Sequence, residues 1–120
     1  YGYDGSAYKL SSFIHASVDS TATVSAGVVP GQLLFATTPD NGSSLKFMTL
    51  NKDGNLGINS AAPTKKLEVN GNGEFASEVL LGRMDQTAIN ALTAVNGMIV
   101  YNTTTNKFQG YEGGAWSNLI

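Results

Sequence analysis

Apolar and polar residues alternate along this chain in short runs with a period of two, and Gly, Asn, Asp or Pro stands at most of the breaks. That is how strands joined by tight turns are written. The pattern is clearest at 97–120, where Met98-Ile99-Val100-Tyr101 and Lys107-Phe108-Gln109-Gly110-Tyr111 flank a polar turn at 102–106. A third run around Trp116 follows Gly113-Gly114, so a three-stranded meander is predicted there. A second meander is predicted at 31–58. Its strands lie at 32–38 and 44–51, separated by the turn cluster Pro39-Asp40-Asn41-Gly42-Ser43, and an Asp53-Gly54 hairpin turn precedes Asn55-Leu56-Gly57-Ile58. Upstream, Val28-Val29-Pro30-Gly31 carries a turn signal, with Pro presetting φ at one corner and Gly free to take positive φ at the next. Residues 1–29 hold only short β-type runs broken by Gly and Ser. One helix is predicted, at 85–92: Asp85 suits an N-cap, and Ala88, Ile89 and Leu92 share a stripe. So short a helix needs tertiary support, and it is expected to pack between a shaft and the C-terminal meander.

Two of these strands are apolar on both sides. Leu33, Phe35 and Thr37 alternate with Gln32, Leu34 and Ala36, and residues 45–50 behave alike. A sheet with one wet face would show polar residues at every second position, so a second layer or a neighbouring chain is expected. In Lys66-Leu67-Glu68-Val69, Leu67 and Val69 are expected to point inward and Lys66 and Glu68 outward, with Asn70-Gly71-Asn72-Gly73 turning the backbone. A strand that thin cannot bury its apolar side alone, so neighbouring chains are expected to cover it.

Composition sharpens this picture. The 120 residues carry only 13% charged side chains, against about 25% in ordinary soluble domains, and 14 are Gly. Such a surface suits inter-chain packing better than a charged monomer. With a net charge of −2 and a single adjacent basic pair, Lys65-Lys66, the chain has no footprint for nucleic-acid phosphates. Without cysteine it has no disulfide framework, thiolate zinc site or thiol nucleophile, and stability must come from elsewhere, oligomerisation first. No apolar run approaches the roughly 20 residues of a membrane span, so no membrane insertion is expected. Because it opens on Tyr1 rather than Met, the chain is expected to be a processed or truncated piece of a longer protein.

The run at 97–120 resembles a sequence found at the distal ends of phage tail fibres and related virion fibres. A second stretch is similar to a segment of the same family, of the form DGNVGIGT…P…KLEVNG. Here it reads Asp53-Gly54-Asn55-Leu56-Gly57-Ile58-Asn59, then Pro63, then Lys66-Leu67-Glu68-Val69-Asn70-Gly71. Gly2-Tyr3-Asp4-Gly5-Ser6 and Val29-Pro30-Gly31-Gln32-Leu33-Leu34-Phe35-Ala36-Thr37 fit that family's lead-in. Asn59 stands where the family often has Gly, and Phe47-Met48 where it often has Arg-Met. The resemblance covers nearly the whole chain. It implies an intertwined trimer, a shaft in the KLEVNG region and, often, a cleavable C-terminal chaperone downstream. It carries no catalytic residues.

The residues themselves offer little chemistry. His15 is the sole histidine, so a metal site would need three copies at an axis; a strand residue with one polar tip is the simpler reading. Asn51, Asp53 and Asn55 have calcium-loop spacing, but the sixth and twelfth positions are Leu56 and Ala62, which favours a hairpin turn. The nine acids are dispersed and give no paired carboxylates for glycoside cleavage within a chain. Gly2-Tyr3-Asp4-Gly5 and Gly71-Asn72-Gly73 lack the strand-to-helix setting of a phosphate loop. Aromatics are the exception. Tyr101, Phe108 and Trp116 are expected to form a small C-terminal core, whereas Tyr111, beside Glu112 in a Gly-rich turn, is as suited to ligand contact as to burial. Tyr111, Glu112, Trp116 and Asn106 are the candidate receptor contacts.

The resulting expectation is an all-β, intertwined homotrimeric fibre with short β-meanders, a thin shaft and one short helix. Residues 1–59 form an N-terminal β-region, 60–84 the shaft, and 85–120 the helix and C-terminal meander. The expected role is attachment of a bacteriophage virion to a host cell-surface receptor, a glycan foremost, without enzymatic activity, cofactor or metal. The expected partners are two further copies, other virion proteins and a host surface glycan or protein, and the expected location is the virion surface. A purely structural spacer, head fibre or decoration protein is the alternative, and a bacterial surface adhesin the second.

Overall fold

Alternation, turn chemistry and one helix cap set the architecture seen in a computed structural model, which describes residues 1–39, 42 and 44–120. The chain divides into two compact units, Tyr1–Glu74 and Phe75–Ile120. Nearly all of the regular structure is β. Most of the predicted turn cluster Pro39-Asp40-Asn41-Gly42-Ser43 lies outside the described residues. No described helix is long and apolar enough to cross a membrane.

The first unit opens with a small hairpin, β1 (Gly2–Tyr3) against β2 (Tyr8–Lys9). Asp4 Oδ1 accepts from the backbone N–H groups of Ser6 and Ala7 at 2.8 and 2.7 Å and closes its turn. There follows a five-stranded sheet of β3 (Ser12–Val18), β4 (Gly31–Thr37), β5 (Lys46–Leu50), β6 (Leu56–Ile58) and β7 (Leu67–Val69), in that spatial order. Its first three pairings are antiparallel, the second and third as the predicted 31–58 meander requires, and the fourth, β6 with β7, is parallel.

One predicted turn is displaced. Gly31 is the first residue of β4, extended and opposite Val18, and not a turn corner. The tight turn sits upstream, where Ser25 and Val28 exchange backbone bonds of 3.2 and 3.0 Å around Ala26 and Gly27. Gly27 has φ 77°, the left-handed value that suits glycine at such a corner. Pro30 instead serves the buried Asp19, whose N–H donates to the Pro30 carbonyl at 3.0 Å.

A parallel neighbour demands a crossover, and residues 59–66 supply it. They lie close over Gly57, where an added Cβ would stand 2.4 Å from the Ser60 carbonyl oxygen. The hairpin turn before β6 holds the crossover down, since Asn51 and Asn55 both donate side-chain N–H bonds to the Pro63 carbonyl, at 3.0 and 3.1 Å. Asn51 Oδ1 accepts from the N–H groups of Asp53 and Asn55, so the calcium-like spacing is a hairpin turn.

The second unit is a four-stranded sheet in the order β11-β10-β9-β8. The predicted meander is there: β9 (Ile99–Asn102), β10 (Lys107–Glu112) and β11 (Ala115–Asn118), all antiparallel, with β8 (Arg83–Met84) parallel to β9 at the edge. The predicted helix is α1 (Gln86–Asn90), capped by Asp85, whose carboxylate accepts from the Ala88 N–H at 2.8 Å. Ile89 is its one fully enclosed residue.

Candidate functional site

Directly opposed residues of neighbouring strands share a face of the sheet, so the register sorts the first unit's side chains. On one face two rows cross all five strands without a polar residue. Ile14, Phe35, Met48, Ile58 and Val69 form one, and Ala16, Leu33, Leu50, Leu56 and Leu67 the other. Most of these side chains lie open, Ile14 at 70% and Leu67 at 56% exposure. The opposite face carries Ala36 and Thr49, both buried, with Gly57 and Glu68. The expected second layer therefore exists on that side in part, as the 59–66 crossover.

Glu68 corrects the sequence reading. Its expected outward position does not hold, for Glu68 is tucked against its own chain, while Leu67 and Val69 lie open on the face away from it, free for neighbouring copies to cover. The Ser60 hydroxyl donates to Glu68 Oε1 at 2.6 Å, and the Thr64 N–H and hydroxyl donate to Oε2 at 3.0 and 3.1 Å. These donors, the Ser60 hydroxyl foremost, hold the carboxyl below its ordinary pKa. Alternation along β7 is as predicted; its buried side is the polar one.

Asp19, 2% exposed, is the second such anchor. Thr21 donates to Oδ1 through its hydroxyl at 2.6 Å and its N–H at 2.8 Å, and the Lys52 N–H donates to Oδ2 at 3.1 Å. Those bonds, led by the Thr21 hydroxyl, lower its pKa and pin the end of β3 to the β5–β6 turn.

The second unit's interior is made of amides. Asn102, fully buried, donates to Gln86 Oε1 at 2.8 Å and Gln109 Oε1 at 2.9 Å, and accepts from the N–H groups of Thr104 and Thr105. Gln109 in turn donates to Asn118 Oδ1 at 3.0 Å. Val100 and Ile89 complete this interior. Phe108 does not join it, contrary to expectation. It opposes Tyr101 on the other face, 41% exposed, and the two rings meet edge to face at 5.1 Å. The reason is register: Gln109, one residue on, takes the inner side. Arg83 lies over the Tyr101 ring at 5.7 Å, and Val79, Leu80 and Leu81 complete an open groove of about 240 Å³.

The candidate contact residues do not converge within one chain. Tyr111 and Trp116 are cross-strand partners, half-buried, with ring centroids 5.2 Å apart. Glu112 follows Tyr111 and projects from the opposite face, exposed. Asn106 stands before the other end of β10, about 16 Å from Tyr111 at the rise of an extended strand, with φ 55° and a long 3.4 Å bond from the Tyr101 hydroxyl. His15 is exposed on β3, and the described residues include no cluster of three or more His, Cys, Asp or Glu that could hold a metal ion. The anchoring roles of Asp19, Glu68, Asn102 and Gln109 escaped the sequence reading, because each has a partner brought close only by the fold.

The chain is nearly all β and leaves a wide apolar face uncovered, a surface suited to assembly with other chains. Residues 57–120, more than half of the chain, match the model of a family described as the phage tail-like trimerisation region. The chain belongs to that family. Membership places it among phage tail and fibre structural components, makes it a virion part, and supports a homotrimer. No curated protein and no solved structure matches it.

Proposed function

We propose that this chain is the intertwined homotrimeric part of a tail fibre that attaches the virion to a glycan on the host cell surface. In this reading residues 1–59 form an N-terminal β-region, 60–84 a shaft where chains wind together, and 85–120 the helix and meander that meet the receptor. Phe75, Val79 and Leu80, at 68, 50 and 84% exposure, suit a segment covered by neighbouring chains.

The observation that carries the attachment role is the Tyr111–Trp116 pair, two partly exposed rings at one end of β10. Aromatic faces stack on the C–H faces of sugars, and exposed amides and carboxylates bond hydroxyls. Glu112 and Asn106 would make such polar contacts at separate points of the surface. Three modest sites on one fibre, and several fibres per particle, would turn weak binding into stable capture.

The test is a printed glycan array probed with the fluorescently tagged full chain and with its Tyr111→Ala and Trp116→Ala variants. Sugar binding by the parent chain that falls about tenfold or more in both variants is expected if ring stacking carries the contact. Binding that both substitutions leave intact would remove these residues from the site. A parent chain that binds no glycan would leave the spacer role.

A further inference from the structure

We infer that the apolar face of the five-stranded sheet, out to β3 at its far edge, packs against the same face of two further copies of this chain. The inference rests on the trimeric reading above and adds where the contact runs. The family match begins at residue 57 and so includes Ile58 of β6 and all of β7, but nothing of β3, β4 or β5. The apolar rows do not stop there. From Val69 and Ile58 one row continues through Met48 and Phe35 to Ile14 in unbroken register. A hydrogen-bonded sheet moves as one layer, so an axis that buries its β6–β7 edge draws the upstream strands onto the same surface.

The chemistry of the face favours copies of itself as occupants. Its two central rows contain no charge and no hydrogen-bonding side chain with which to select a foreign partner. Polar side chains on that face are confined to the neighbouring outer row, Ser12, Thr37 and Lys46, while Gln32, Thr49 and Glu68 lie on the opposite face. Identical chains around an axis bring identical apolar rows together, and an apolar surface this continuous is the mark of an interaction site.

Because the chain has no cysteine, single substitutions give unique reactive probes. Ile14→Cys reports the far edge of the face, Val69→Cys the edge inside the family match, and His15→Cys the opposite face beside Ile14. Each full-length variant is treated with a maleimide under native conditions, its labelling rate read by intact mass and its assembly by light scattering. The expected result is a three-chain mass with Ile14→Cys and Val69→Cys labelled about tenfold or more slowly than His15→Cys, as burial protects. A three-chain mass with Val69→Cys protected and Ile14→Cys as reactive as His15→Cys would overturn this inference and leave the trimer standing. A one-chain mass would overturn both. Ile14 lies open within its own chain, so a small side chain there leaves the sheet itself intact, and unfolding would show as labelling at all three sites after loss of the β-sheet circular dichroism signal.

Discussion

The two units of this chain anchor their interiors by different chemistry. In the first, two carboxylates do the tying: Asp19 fastens β3 to the β5–β6 turn, and Glu68 fastens the crossover beneath β7. In the second the work falls to neutral amides, with Asn102 and Gln109 linked to Gln86 and Asn118 above the enclosed Ile89. The difference teaches where each unit is vulnerable. A carboxylate anchor can be released by acid; an amide network cannot. The first unit also places both carboxylate anchors away from a face that carries ten apolar positions in two adjoining rows, so much of its hydrophobic stabilisation waits for assembly.

The largest expected effect is in the second unit. Ile89→Ala removes the side chain at its centre and is expected to cost about 3 kcal/mol. Trp116 is the only tryptophan, so its fluorescence during urea unfolding reads this unit directly. Amide exchange in β4 and β5 should be unchanged; equal losses in both units would end the comparison. Gly57→Ala is the counterpart in the first unit. Its Cβ would meet backbone 2.4 Å away, which no rotamer relieves, and about 2–3 kcal/mol of destabilisation is expected in amide exchange of β5 to β7. The Trp116 transition should stay where it was.

A smaller effect is expected at Asn59. It sits at φ 55°, a conformation that asparagine tolerates and β-branched residues resist. Asn59→Val is expected to cost about 1–2 kcal/mol, while Asn59→Gly keeps the turn. Thermal melts of both variants decide it, and a harmless Asn59→Val would refute the conformational argument.

The gentlest perturbation is pH. Asp19 and Glu68 are both held below their ordinary values of 3.8 and 4.5 in the folded chain. The stability they confer is therefore complete above those values and is lost as pH falls through the lowered ones. Amide protection in the first unit, measured relative to the unstructured exchange rate at each pH, should fall on acidification below about pH 4.5, with the Trp116 transition in urea little moved. Glu78 in the second unit is also lowered, by the Ser77 hydroxyl, but stands outside the amide interior. Parallel acid sensitivity in both units would contradict the contrast.

Much of this fold was legible because its signals are local. The strands of both meanders, the Asp53-Gly54 hairpin and the Asp85 cap each depend on neighbours within a few residues. What was not legible depends on distant partners. Nothing near Glu68 in the chain announces that Ser60 and Thr64 will fold back onto it, so alternation alone assigned it to solvent. The parallel β6–β7 pair hides for the same reason, because Pro63 must first be caught by Asn51 and Asn55. Phe108 misled by its size: register gave the inner place to Gln109. The candidate contacts were chosen for chemistry along the chain, and the structure separates them, leaving Tyr111 and Trp116 as the one touching pair.

Three chains sharing one uncovered sheet face would run as a single particle of three masses. Light scattering in line with gel filtration, on the full chain at neutral pH, tests this most directly. A mass three times the 12.6 kDa of one chain is the expected result. A stable 12.6 kDa species would contradict it, since the ten apolar positions of that face would then stand in water.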